Sequence, residues 1–359
     1  MTTIRAAVCH AFGAPLTIED VSLRAPLSGE IEVTLDAVAI CHSDISYADG
    51  AWGGSLPAVY GHEAAGRVTE VGQNVLVPLG ASVVVTLIRA CGTCPNCAVG
   101  KPTLCETPYD GDHGPLRTAD GGKLHQAMAC GAFAEKVVVD QSQVVIVPED
   151  IPKDAAALIS CGVITGVGAV VNAAGLRAGQ DVVVIGAGGV GLNAIQGARI
   201  AGARRIVAVD MSEEKLVMAR EFGATDGVLA TQDKPWKAAF KAMGRGADAV
   251  IVTVGAIAAY DSAPRYLAAG GKVIMVGMPH SGAASSYEPV ILAATGQGMV
   301  GSKMGDVVIQ RDIPWMVDLY QQGRLKLDEL ISGRWSLDQI NEAIADTKGG
   351  AAKRNVIVF

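Results

Sequence analysis

The chain has 359 residues, long for one hydrophobic core and comfortable for two, with half its residues apolar, 18% charged and 44 glycines. A formal charge of -7 with no lysine/arginine cluster excludes a nonspecific nucleic-acid partner. The opening MTTIRAAVCHAFGAPL lacks the basic segment and apolar core of a secretory signal, and the apolar stretches are interrupted well short of a bilayer span. A soluble, cytoplasmic protein with no membrane partner is therefore expected.

Along residues 1–162 the pattern is of short strands broken by turns, with candidates at 4–9, 31–38, 65–71, 82–88, 133–138 and 143–147. The period is close to two and no long helical stripe interrupts it, which predicts a mostly-β part. Residues 106–132 are rich in turn formers and read as a long loop. The texture changes near residue 163. Strands at 181–186, 205–210, 226–229, 248–252 and 272–276 alternate with helices at 189–202, 213–222, 235–243 and 260–269. That alternation predicts βαβ units, an α/β fold with a doubly wound parallel sheet. Segment 298–301 supplies a further sheet edge, 310–322 and 336–346 read as helices, and 355–359 as a terminal strand.

Gly186-Ala187-Gly188-Gly189-Val190-Gly191 follows an apolar strand and opens a helix. The first glycine permits the turn, the second admits a pyrophosphate, and the third lets helix and strand pack closely. The helix N-terminus then offers free N–H groups to the phosphates. Asp210 ends the second strand, where its carboxylate accepts from ribose hydroxyls and repels a 2′-phosphate. NAD is therefore expected over NADP. Lys215 is close enough to reach the same ribose, although a lysine on an exposed first helical turn is ordinarily solvated.

Cys91-x2-Cys94-x2-Cys97-x7-Cys105 places four thiols in 15 residues, a closed tetrahedral set of the kind that holds a structural zinc. Iron–sulfur is the rival, disfavoured because the rest of the chain offers a hydride-transfer site and no second cluster. With no export signal, metal thiolates in a reducing compartment fit better than disulfides. Cys41, His62 with Glu63, and Cys161 are dispersed, and the pattern alone leaves them open as a Cys₂His zinc set or as packing residues. Cys9 and Cys130 are read as packing or loop cysteines, and His10, His113, His125 and His280 as solvated.

The cysteine lobe, G-H-E at 61–63, S-C-G-x-x-T-G at 160–166, the glycine fingerprint with Asp210, and R-N-V-I-V-F at 354–359 run through essentially the whole chain. Together they resemble the zinc-containing alcohol dehydrogenase branch of the medium-chain dehydrogenase/reductase superfamily. The resemblance implies a Rossmann NAD-binding domain at 163–302, inserted in a mostly-β GroES-like catalytic domain at 1–162 and 303–359, with the zinc lobe at about 88–108. It implies one catalytic and one structural zinc per subunit, the former held by Cys41, His62 and Cys161 with an open position for substrate. Glu63 is then the nearby carboxylate and Ser43 the relay hydroxyl for the alcohol proton. Thr165 lines the nicotinamide face, Arg354 contacts a cofactor phosphate, His42 sits near the pyrophosphate, and Leu87 lines the substrate pocket. Asp44 is the acceptor that orients His62. Many relatives carry a histidine where this chain has Ser46, which leaves the end of the proton relay open.

The implied reaction is reversible hydride transfer between a primary, secondary or aromatic alcohol and NAD. The 106–132 loop and the stretches CGAFAEK and IVAVDMSEEKLVMAREFGAT most resemble glutathione- or mycothiol-dependent formaldehyde dehydrogenases, which act on the thiol adduct of formaldehyde. The family also implies a homo-oligomer joined through the nucleotide domains, with a dimer favoured over a tetramer. A zincless quinone reductase would lack the ligands and the lobe, and a noncatalytic descendant would have lost one of the site residues.

Overall fold

The computed structural model describes residues 1–359, which divide into two compact units. The first comprises Met1–Cys161, Val308–Gly323 and Leu327–Phe359, and the second Gly162–Val307 with Arg324–Lys326.

The first unit begins with strands β1 (Thr2–Cys9), β2 (Thr17–Leu23) and β3 (Glu30–Ala39), then helix α1 (His42–Ala48). Strands β4 (Ala58–Val59), β5 (Glu63–Val71) and β6 (Ser82–Val85) follow, then a single helical turn α2 (Pro95–Ala98). The segment read as a long loop carries the two-residue strands β7 (Leu116–Arg117) and β8 (His125–Gln126) and two 3-10 turns at Gly111–His113 and Ala127–Ala129, and β9 (Lys136–Asp140) and β10 (Val144–Ile146) complete this stretch. The alternating pattern of β3 buries Ile31, Val33 and Leu35 in one cluster with Phe133 and Val68. β3 is antiparallel to β5, with Ala39 opposite Glu63. That register lays Cys41, just past the end of β3, beside His62, just before β5.

A helix then runs unbroken from Lys153 to Ala173, as α3 (Lys153–Leu158), a π-helical turn at 159–163, α4 (Ile164–Gly168) and a second π turn at 169–173. The sequence reading placed no long helix here. Its sequence is Ala, Val, Ile and Gly on every side and 89% of its most apolar window is buried, so no polar stripe marks the helical period.

The second unit is a six-stranded sheet in the order β13-β12-β11-β14-β15-β16, parallel throughout. Its strands are β11 (Asp181–Ile185), β12 (Arg205–Asp210), β13 (Asp226–Leu229), β14 (Ala247–Val252), β15 (Leu267–Met275) and β16 (Gly298–Gly301). Between them run α5 (Gly189–Ile200), α6 (Glu213–Glu221), α7 (Pro235–Met243), α8 (Ile257–Ser262) and α9 (Pro289–Thr295), the last of these not predicted. All five residues of β11 are buried, as expected of a strand covered on both faces, which is why it reads as a plain Val/Ile run. The chain fills β11, β12 and β13 in one direction and returns to β14 on the other side of β11, and the reversal creates the crevice where such sheets take ligands.

The chain re-enters the first unit at Val308, five residues later than the sequence boundary, because the turn at 302–307 packs on α4. α10 (Ile309–Gln321), β17 (Ile331–Trp335), α11 (Ile340–Gly349) and β18 (Arg354–Val358) follow. The sequence reading missed β17, which Gly333 and a register shift interrupt. β18 pairs antiparallel to β3 with Val356 opposite Ala39, which carries Arg354 to the end of the sheet where Cys41 and His62 meet.

Candidate active site and metal centres

Cys41 is the N-cap of α1, and Asp44, three residues on, reaches back to its backbone N–H at 3.1 Å. This reciprocal capping fixes the first turn. The other Asp44 oxygen accepts from Gly61 N–H at 2.9 Å and from His62 Nδ1 at 2.8 Å. This contact favours a proton on Nδ1 and turns Nε2, 3.3 Å from Cys161 Sγ, toward the thiols as the nitrogen that would ligate a metal. One ligand atom from each of Cys41, His62, Glu63 and Cys161 lies within 4.8 Å of the others, and all four residues are buried. Cys161 stands in the π-helical turn at 159–163, an irregularity frequent at functional sites.

The donor set fits a zinc ion. The hydrogen bond from Cys161 holds the Cys41 thiol well below the ordinary thiol range, while the same contact pushes Cys161 up. Two buried thiols in that relation keep a proton between them, and a divalent cation with sulfur and imidazole preference accommodates both as thiolates. Glu63 Oε1 is buried with no hydrogen-bond partner, a further observation consistent with a cation.

The other Glu63 oxygen pairs with the Arg354 guanidinium, and both side chains are buried. Burial pushes the Glu63 carboxyl up to about 7, with Arg354 pulling the opposite way. The sequence reading assigned Arg354 to a cofactor phosphate. The structure adds Glu63 as a partner of this arginine, because the β3–β18 register delivers it to the end of the sheet where Cys41 and His62 meet. Ser43 is half-buried on the first turn of α1, His42 is exposed at its start, and Ser46 and Leu87 are half-buried. An aromatic group that the sequence reading missed flanks this helix. Tyr47 meets Trp52 edge-on at 5.0 Å and stacks near Tyr60 at 6.5 Å.

Cys91, Cys94, Cys97 and Cys105 converge as the sequence spacing predicts. Backbone N–H groups point at the sulfurs: Cys94 N at 3.3 Å and Thr93 N at 3.4 Å to Cys91, Cys91 N at 3.3 Å to Cys105, and Glu106 N at 3.5 Å to Cys94. The Thr107 side chain and the Thr93 and Cys94 amides pull the Cys91 thiol down to about 5. Such amide-to-sulfur bonds favour thiolates and fit a second zinc ion. Cys97→Ser is expected to lower the zinc content by one ion per chain and the melting temperature by ~5 °C or more. Metal analysis and calorimetry check this, and a variant retaining both ions with unchanged melting would refute a structural role for the lobe.

In the second unit, Gly186 turns the chain out of β11 with φ +97°, a conformation that favours glycine. A Cβ on Gly191 would fall 1.8 Å from the Gly186 carbonyl oxygen, so this glycine sets how closely α5 meets β11. Gly188, Gly189 and Val190 are half-buried at the start of α5. Asp210 Oδ2 accepts from Ala187 N–H at 2.8 Å and Oδ1 from Ser212 N–H at 3.1 Å, so its carboxylate is tied to the glycine turn. Lys215 lies in the first turn of α6, its N–H capped by Ser212 Oγ at 3.4 Å. Thr165 is buried on α4, and its hydroxyl donates to Met304 Sδ at 3.7 Å. Met304, Gly305 and Asp306 are successive left-handed residues, with φ 54°, 68° and 52°. For the two non-glycines this costs ~1–2 kcal/mol each.

The family model described as alcohol dehydrogenase GroES-like domain matches residues 27–149, and that described as zinc-binding dehydrogenase matches 189–322. An NDMA-dependent alcohol dehydrogenase of Amycolatopsis methanolica is 36% identical, over 99% of this chain and 98% of its own. The S-(hydroxymethyl)glutathione dehydrogenase of Paracoccus denitrificans is 35% identical over 99% of each chain. The crystal structure of benzyl alcohol dehydrogenase from Acinetobacter calcoaceticus superposes with a TM-score of 0.93 at 29% identity, covering all of both chains. On this similarity along its whole length, the chain belongs to the zinc-containing alcohol dehydrogenase branch of the medium-chain dehydrogenase/reductase superfamily, near the formaldehyde dehydrogenases.

Proposed function

We propose that this protein oxidises alcohols to aldehydes or ketones with NAD, reversibly, using one catalytic and one structural zinc per subunit. The buried Cys41–His62–Cys161 cluster, its imidazole fixed by Asp44, carries the reading. Cys41, His62 and Cys161 would hold the zinc, which supplies Lewis acidity toward the substrate oxygen, while the nicotinamide supplies the hydride acceptor. Asp44 accepts from Nδ1 of His62, so Nε2 is the nitrogen that would face the metal. Arg354 holds Glu63 by one oxygen, leaving the other directed elsewhere. Ser43 takes the alcohol proton, since a hydroxyl both accepts and donates. Ser46 cannot act as a base near neutral pH, so water or a ribose hydroxyl ends the relay. In the same reading, Gly186, Gly188, Gly189, Val190 and Gly191 hold the pyrophosphate, with His42 near it. Asp210 and Lys215 hold the adenosine ribose, and Thr165 faces the nicotinamide. None of the eight cysteines is in a disulfide, which suits a reducing cytoplasm, and we place the protein there as a homodimer.

The substrate is a primary, secondary or aromatic alcohol. The second reading, a thiol adduct of formaldehyde, is favoured by the likeness to the S-(hydroxymethyl)glutathione dehydrogenase. NAD reduction should be measured with a panel of alcohols and with formaldehyde, with and without glutathione or mycothiol. Turnover of plain alcohols with no thiol effect supports the first reading. A formaldehyde rate that needs one thiol and exceeds every alcohol replaces it with the second.

Asp210→Gly is expected to raise kcat/KM for NADP relative to NAD by about 10- to 100-fold, because a repelled 2′-phosphate is admitted and a ribose acceptor is lost. Unchanged selectivity in steady-state kinetics would remove Asp210 from the ribose site.

A further inference from the structure

The turn Ser302–Asp306 follows the C-terminal end of β16, as the glycine turn follows that of β11. In a parallel sheet both therefore lie along one edge, the edge that takes ligands. The turn is clamped onto the helix that bears Thr165. Asn172 Nδ2 donates to the Gly305 carbonyl at 3.3 Å, and a Cβ on Gly168 would fall 2.4 Å from the same oxygen. Left-handed backbone is ordinarily given to glycine, asparagine or aspartate. Asp306 meets that rule and its carboxylate closes the turn, accepting from Lys303 N–H at 3.2 Å and Ser302 Oγ at 3.3 Å. Met304 breaks the rule. Its side chain is half-buried, and its sulfur accepts the Thr165 hydroxyl at 3.7 Å. An unfavourable backbone held this firmly around one side chain is a mark of a functional position.

We infer that Met304 is a cofactor-positioning residue: its thioether, presented by the left-handed turn, forms with Thr165 the wall against which the nicotinamide end of the cofactor rests. The inference builds on the nicotinamide-dependent reading above. With the Thr165 proton directed at sulfur, the hydroxyl oxygen keeps its lone pairs for a ligand donor such as a carboxamide NH₂. The flexible, polarizable thioether supplies apolar contact to the ring.

The test compares binding of NADH with binding of ADP-ribose, which carries the adenosine and both phosphates but no nicotinamide. Fluorescence and calorimetric titrations use the zinc-loaded wild type, Met304→Ala and Met304→Leu. Met304→Ala is expected to weaken NADH roughly tenfold and leave ADP-ribose within about twofold, while Met304→Leu stays within about threefold of wild type for both. Equal NADH affinity in wild type and Met304→Ala overturns the inference, as does an equal loss for both ligands, which marks a general structural effect. A wild-type protein that binds ADP-ribose but gains nothing from the nicotinamide, or that binds neither ligand, removes the cofactor reading and this inference with it.

Discussion

Replacing His62 with alanine is expected to lower kcat by about 10³-fold or more and to remove one zinc ion per chain while the four-cysteine lobe keeps its own. His62 is fully buried and supplies the only nitrogen among the four ligand atoms that converge there. Its loss leaves two thiols and a carboxylate around a space that water enters. A three-ligand site that loses one member binds zinc far more weakly, and the Lewis acid on which the proposed chemistry depends is then largely absent at ordinary zinc concentrations. The expected pattern is the inverse of that for Cys97→Ser, which should cost stability before activity. The pair separates a catalytic from a structural ion, with zinc analysis, melting temperature and alcohol oxidation as the three readouts. His62→Ala enzyme with both ions and near-normal turnover would show that the buried cluster is not where the reaction occurs.

How much of this was legible depended on sequence distance. The cysteine lobe and the glycine turn are local, so spacing alone reports their geometry, and the structure brings both sets together. Cys41, His62 and Cys161 are scattered, and only family resemblance selected them from other buried residues. Their convergence depends on strand register, Ala39 opposite Glu63, which periodicity does not encode. The same limit hid the Glu63–Arg354 pair, whose members lie 291 residues apart and meet through the β3–β18 register. The helix Lys153–Ala173 was invisible for the opposite reason. An element apolar on every side carries no period to detect, and the π turn that holds Cys161 leaves no mark in composition. Met304 escaped because a left-handed turn built on Met-Gly-Asp offers one ordinary glycine as its sequence signal.

Asp44 tests how far the site depends on a residue that touches no metal. Its two oxygens receive Cys41 N–H, Gly61 N–H and His62 Nδ1–H, so one carboxylate ties together the segments that bear two ligands. Asp44→Ala leaves three buried donors without an acceptor, each costing ~1–3 kcal/mol. That sum is a large fraction of the ~5–15 kcal/mol that holds a domain folded, so much of the variant is expected to unfold. Asp44→Asn is the sharper probe. Its carboxamide keeps the shape and one oxygen, but its NH₂ group must face a donor, and the negative charge that favours a proton on Nδ1 is gone. The expected result is a folded protein destabilised by ~1–3 kcal/mol, with zinc affinity at the catalytic site reduced about 10- to 100-fold and affinity at the lobe unchanged. Chelator competition with the two sites resolved reads this directly. If Asp44→Asn holds both ions as tightly as the wild type, the orientation of His62 does not rest on this carboxylate. The α1 turn and the β3–β5 register would then suffice to place the ligands.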